Sequence, residues 1–186
     1  GCRGAWNELT RGAAVFEILD CCGVFDREHA ATYALKIGRH PDQPATSGEV
    51  GQFGVGMKRA IFKIGRECAV ASSTGDDRWR VAVDVDAWLL KSDDWTFPLE
   101  SAVGGAPEEP GTLVRCGKLL PSASNRLGQA AFGSRVLSEI SMRHALSLPP
   151  RGSIEVNQRR LLPRPPNMHR PVERYPLLHQ RHATHK

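Results

Sequence analysis

The residues most able to do chemistry are glycines, not acids or thiols. Gly51-Gln52-Phe53-Gly54-Val55-Gly56-Met57-Lys58 holds three glycines and a lysine in eight positions, ahead of a segment of helical periodicity. Glycines at such spacing let backbone amides approach a ligand closely. The unpaired N–H groups and the dipole of the helix start favour an anion, most commonly phosphate. Lys58, in the first turn, adds a point charge for terminal phosphate oxygens. The segment is not a Walker A loop, since the GK(S/T) ending is missing. Nor is it a dinucleotide fingerprint, because a loop precedes it instead of a strand. Read as glycines alone, it equally describes a tight turn that lets a helix pack closely.

A second candidate is Asp20, at the end of an apolar run and before Cys21-Cys22-Gly23-Val24. A carboxylate there can accept a hydrogen bond from an exocyclic purine amine, or simply cap the next turn. A third is Gly111-Thr112, opening a late strand, where a hydroxyl could stand beside that carboxylate. Other chemistry has little support. The five cysteines, Cys2, Cys21, Cys22, Cys68 and Cys116, form no CxxC pair, which argues against a zinc site or disulfide framework and fits buried thiols in a reducing, cytoplasmic setting. Trp79, Trp88 and Trp95 read as core or hairpin aromatics, and Glu139 and His144 as the solvated face of a helix.

Positioning these groups requires alternating helices and strands. Ala14–Leu19 reads as a largely buried strand. Asp26 caps a helix to about Ile37 with Ala30, Ala31, Tyr33, Ala34 and Ile37 on its apolar face. Gly38–Val50 is a polar loop. A helix from about Gly54 turns Met57, Ala60, Ile61 and Ile64 inward and stops at Gly65. The period then changes to two: a strand at Cys68–Ser72, a hairpin through Thr74-Gly75-Asp76-Asp77, and a strand at Trp79–Val85. Trp95–Leu99 and Thr112–Cys116 add strands, a long helix covers about Asn125–Leu146, and Ser153–Val156 forms a last strand. The pattern predicts an α+β fold, a two-layer sandwich with helices on one face of a mixed sheet.

The chain has 186 residues, 40% of them apolar, enough for one cored domain and a tail. No apolar run is long enough for a membrane span. Of the net charge of +5, residues 159–186 contribute +6, so the body is near neutral. That basic tail, rich in Pro and His from residue 163 onward, reads as extended or disordered. It could contact nucleic-acid phosphates without sequence preference, though Tyr175 is its one aromatic for stacking.

In order along the chain, the aspartate with its Gly-containing turn, the loop, the glycine segment and the Gly-Thr strand resemble the GHKL ATPases. These comprise gyrase, the ninety-kilodalton heat-shock chaperones, histidine kinases and MutL-type proteins. Val50–Gly65 is similar to the segment I-G-x-(F/Y)-G-I-G-M-K-R-A-I-F-K-(I/L)-G of bacterial ATP-binding proteins of that group. The resemblance spans roughly residues 14–162, with 1–162 as the domain and 163–186 as the tail.

It implies a Bergerat-type fold and a nucleotide-dependent conformational switch that binds ATP with Mg²⁺ and can form a homodimer. Asp20 would bind the adenine amine, directly and through a water shared with Thr112. Gly23 would sit beside the base, and residues 38–50 would form a lid. Gly51, Gly54 and Gly56 would offer amides to the phosphates within a segment that includes Val55 and Met57, and Lys58 would meet a terminal phosphate. The turn departs from the family's D-N-C-G-G-I, with Cys21 for the asparagine and Val24 for the second glycine. With 19 residues ahead of Asp20, the expectation is a domain lacking the upstream helix that supplies Mg²⁺ ligand and general base, hence deficient in hydrolysis. The alternative reading is a non-catalytic interaction module on the same scaffold.

Overall fold

The computed structural model describes residues 15–21, 24, 26–35, 56–91, 96–102, 104–143 and 154–161. The sequence expectations for Gly23, the lid at 38–50, Gly51, Gly54, Val55, Trp95, His144 and the tail from 163 fall outside the described residues.

The described chain is α+β. Strands β1 (Phe16–Asp20), β2 (Gly65–Ser73), β3 (Arg78–Asp84), β4 (Leu99–Ser101) and β5 (Gly111–Leu119) form one sheet in the order β1-β5-β2-β3-β4. Every pairing is antiparallel, which corrects the expected mixed sheet. The reason is topological. β1 and β2 run the same way, but β5 inserts between them and pairs with both, so no parallel ladder forms.

Alternation assigns the two faces. Phe16, Ile18 and Asp20 of β1 share a face with Thr112, Val114 and Cys116 of β5, Cys68, Val70 and Ser72 of β2, and Trp79 and Val81 of β3. Ile61 of helix α2 (Gly56–Ile64) and Ala30 pack there, and Trp79, at 0% exposure, is the largest side chain wholly inside among the described residues. Cys68 Sγ donates to the Ile61 carbonyl at 3.4 Å, fastening the helix end to the sheet. Cys68 and Cys116 are the buried free thiols expected, whereas Cys21 is exposed. Hydrogen bonding to Cys68, and then burial, pushes the Cys116 thiol pKa up. Trp88 rests between Phe62 and Phe97, with centroids 6.2 and 5.7 Å away, a packing role as expected.

Several elements differ from the sequence reading for identifiable reasons. β1 is an edge strand, so Ile18 remains 47% exposed instead of buried. Asp26 does cap helix α1 (Arg27–His29), its Oδ1 accepting from His29 N at 2.7 Å. The helix then widens into a π-helical turn (Ala30–Ala34), where Leu35 N donates to the Ala30 carbonyl at 3.1 Å, and Ala31 is exposed. In α2, Ile61 and Ile64 point inward as expected, but Met57 and Ala60 are exposed and Phe62 packs in their place.

The strand at Trp79–Val85 stops at Asp84, whose carboxylate accepts from Ala87 N at 3.0 Å and starts helix α3 (Val85–Leu89). That bond holds the Asp84 carboxyl below the usual range. The long helix is two. Pro121, suited to a first turn, starts α4 (Pro121–Leu127) early, and Gly128-Gln129 separates it from α5 (Ala130–Arg143). On α5, Glu139 is solvated, as expected, and it pairs with Arg143 at 3.1 Å. The last strand is outside the main sheet. β6 (Glu155–Val156) pairs with β7 (Arg159–Arg160) through Asn157 and Gln158, both at positive φ as a tight primed turn requires.

Gly65 is no helix cap. It opens β2 directly after α2, and a Cβ there would run into the Gly117 carbonyl oxygen of β5. Gly65→Ala is therefore expected to cost about 1–3 kcal/mol, read as a lower urea midpoint at unchanged slope.

Candidate functional site

One row of residues crosses all five strands on the helix-covered face. Asp20 lies opposite Thr112, Thr112 opposite Ser72, Ser72 opposite Trp79 and Trp79 opposite Ser101. The carboxylate of Asp20 and the hydroxyl of Thr112, ninety-two positions apart in the chain, thus belong to directly facing residues on one face. Residues so placed have Cβ atoms about 4.5–5.5 Å apart. Asp20 is exposed, while Thr112 is buried.

Gly111 makes this pairing possible. A Cβ at that position would lie 2.8 Å from the Asp20 carbonyl oxygen and 3.6 Å from Cys21 Cα. The Gly of the Gly-Thr pair therefore has a structural reason: it brings the start of β5 against the end of β1. Ser72, which the sequence reading did not single out, completes the polar end of the row. Its Oγ lies 3.0 Å from Thr112 Oγ1 and donates to the Gly111 carbonyl at 3.1 Å. Two serines ending a strand give no signal in sequence; only the register with Thr112 gives Ser72 a role.

The far end of the row is tied down by Arg27. Its Nη2 reaches Asp77 Oδ1 at 3.2 Å, the Arg78 carbonyl at 3.4 Å and Ser101 Oγ at 3.0 Å. The helix that follows the Asp20 turn is thereby held across the β2–β3 turn and onto β4, with Ala30 fully buried beneath it.

The glycine segment is described from Gly56 onward. Gly56, Met57 and Lys58 form the first turn of α2, as expected. A Cβ on Gly56 would meet no atom within 4 Å, and its φ is not positive. Among the described residues, neither close packing nor backbone conformation demands glycine at this position. Met57 and Lys58 line an apolar cavity of about 590 Å³ with Leu35, Ile61, Val81 and Phe97. Burial there lowers the Lys58 pKa from the ordinary lysine value of 10.5.

That cavity floors on Val70 and Val81, one row in from Ser72 and Trp79 on the same face, but neither Asp20 nor Thr112 lines it. The structure thus joins Asp20 to Thr112 in one place and Gly56, Met57 and Lys58 in another. Both lie on the helix-covered face. Among the described residues no group of three or more His, Cys, Asp or Glu could hold a metal ion. No described helix is long and apolar enough to cross a membrane.

Comparisons with protein-family models and with curated proteins find no match for this chain.

Lys58 sets a pH dependence. Its folded pKa lies below 10.5, so between the two values the unfolded chain binds more protons and stability rises with pH. At neutral pH the folded state carries the whole desolvation penalty. Lys58→Met is expected to be the more stable protein at pH 7, with its advantage shrinking as pH climbs toward 10.5, measured by urea unfolding across that range.

Proposed function

We propose that this chain is an ATP-binding domain of the GHKL type, acting as a nucleotide-dependent switch. The observation that carries the reading is the register that sets Asp20 opposite Thr112 on the helix-covered face, with the start of α2 over the same face. In this reading the acceptor groups of Asp20 and Thr112 take the amine edge of adenine. The α2 amides and the Lys58 ammonium take the phosphates.

Each part fits its task physically. A carboxylate is acceptor-only and suits an N–H donor. A helix start offers N–H groups and positive potential to an anion. Desolvation of Lys58 is relieved when a phosphate arrives beside it, so its proton is held more tightly in the complex. Glycine at position 56, unexplained by packing, leaves the backbone open to a phosphate oxygen. Mg²⁺ would enter with the nucleotide, held through phosphate oxygens and water, with no cluster of acidic or His side chains needed. The proposal is one of binding and switching; hydrolysis would need a general base within reach of the attacking water.

Calorimetric titration of ATP·Mg²⁺ tests this. Binding in the micromolar to millimolar range is expected, weakened at least about tenfold by Asp20→Asn, which exchanges an acceptor for a donor. Gly56→Ala is expected to weaken binding while leaving the melting temperature unchanged or slightly higher. A folded chain that gives no heat with ATP would refute the proposal and leave a non-catalytic interaction module as the better reading.

A further inference from the structure

Two nucleophilic groups in the core have no part in the nucleotide reading. Cys68 of β2 and Cys116 of β5 stand directly opposite one another in the ladder, on the helix-covered face. Facing residues of an antiparallel pair have Cα atoms about 4.5–5.5 Å apart, inside the range of about 4.4–6.8 Å that a disulfide spans. Both thiols also point to one acceptor. The carbonyl oxygen of Ile61, in the last turn of α2, is 3.4 Å from Cys68 Sγ and 4.0 Å from Cys116 Sγ. Two sulfurs held against one oxygen are held beside each other, so joining them needs a turn of side chains and no shift of strands.

The two thiols differ in how they can be approached. Cys68 lines the apolar cavity of about 590 Å³ between α2 and the sheet, and Cys116 does not. Cys68 is 4% exposed and Cys116 0%. The hydrogen bond from Cys116 holds the Cys68 thiol below the usual cysteine value, which favours its thiolate, the nucleophilic form. An apolar cavity admits a small neutral oxidant and opposes a charged one, which would lose its hydration there.

We infer that Cys68 and Cys116 form an oxidisable dithiol, a modification site at which Cys68 reacts with a hydroperoxide in the cavity between α2 and the sheet and Cys116 closes a cross-strand disulfide. The Cys68 thiolate attacks one peroxide oxygen: an S–O bond forms, the O–O bond breaks, and the departing hydroxide takes up the Cys68 proton as water. The Cys116 sulfur then attacks the sulfenic sulfur: an S–S bond forms, the S–O bond breaks, and the second oxygen leaves as water with the Cys116 proton. Two thiols are oxidised by two electrons, and hydrogen peroxide is reduced to two waters. The product staples β2 to β5 and withdraws both thiol donors from the Ile61 carbonyl. The inference is independent of nucleotide binding.

Hydrogen peroxide added to the folded, reduced chain tests it, with peptide mapping by mass spectrometry as the readout. A peptide joining Cys68 to Cys116 is expected, about 2 Da lighter than its two reduced parts and separated by dithiothreitol. Glutathione disulfide, bulky and charged, should form the same link at least about tenfold more slowly. In Cys116→Val the reaction should stop at the sulfenic acid, trapped by dimedone on Cys68; should that variant not fold, Cys116→Ser replaces it. Exposed Cys21 serves as an internal control. Cys68 and Cys116 remaining thiols once Cys21 is oxidised, a Cys68 link to another cysteine, equal rates with glutathione disulfide, or an unlabelled Cys68 in a folded Cys116 variant overturns the inference.

Discussion

The ladder between β2 and β5 is the constraint on which the rest of the structure depends. It pairs Ser73 with Gly111 at one end and Gly65 with Leu119 at the other, and both ends close on glycine because the backbones or neighbouring strands leave no room for a Cβ. Side chains alternate with a period of two, so a slip of β5 by one residue would turn Val114 and Cys116 to the outer face. It would also separate Ser72 from Thr112. The apolar burial that fixes the register thus fixes the polar end of the row as well. Nothing about hydroxyl chemistry needs to direct the folding.

β5 holds its position because it serves two partners. It is the strand through which β1 joins the sheet, and β1 brings only Asp20 and an exposed Ile18 to the upper end of the helix-covered face. An edge strand with one neighbour is the least secured part of a sheet. Here Gly111 allows close approach, and on the opposite face of the sheet the Arg115–Glu17 ion pair at 3.3 Å ties the same two strands. That pair is exposed on the arginine side and is worth little by itself. The register of β1 is set chiefly by the ladder and by Phe16 packed on the core.

The helix-covered face separates two kinds of group. A carboxylate and two hydroxyls gather at the Asp20 end of the sheet, while a lysine and the first amides of a helix stand at the start of α2. In the reading proposed here, a ligand with a donor edge and an anionic tail would span them. α2 is fixed over the sheet by Ile61 and by thiol hydrogen bonds to its carbonyl, 3.4 Å from Cys68 and 4.0 Å from Cys116. Its N-terminal turn, by contrast, has an open Gly56 and a half-buried Lys58. One helix is thereby anchored to the sheet at its apolar end, with glycine and lysine in its first turn.

Much of this was legible in the sequence because it follows from local chemistry. The period-two run around Trp79, the turn at Thr74–Asp77, the Asp26 cap and the start of α2 each depend on residues within a few positions, and each is found. What sequence periodicity did not reveal is non-local. Strand order, the insertion of β5 between β1 and β2, and the exposure of Ile18 depend on which strands become neighbours, and no spacing along the chain encodes that directly. The division of one expected helix at Gly128 and the end of β3 at Asp84 come from competing signals, a glycine within a helical pattern and a cap within an alternating one. By itself the sequence determined that Asp20, Thr112 and Lys58 were the groups worth placing, since residue type and local motif carry that information. Only the tertiary structure decided that Asp20 faces Thr112, and that Ser72 stands behind it, because strand register depends on which strands become neighbours.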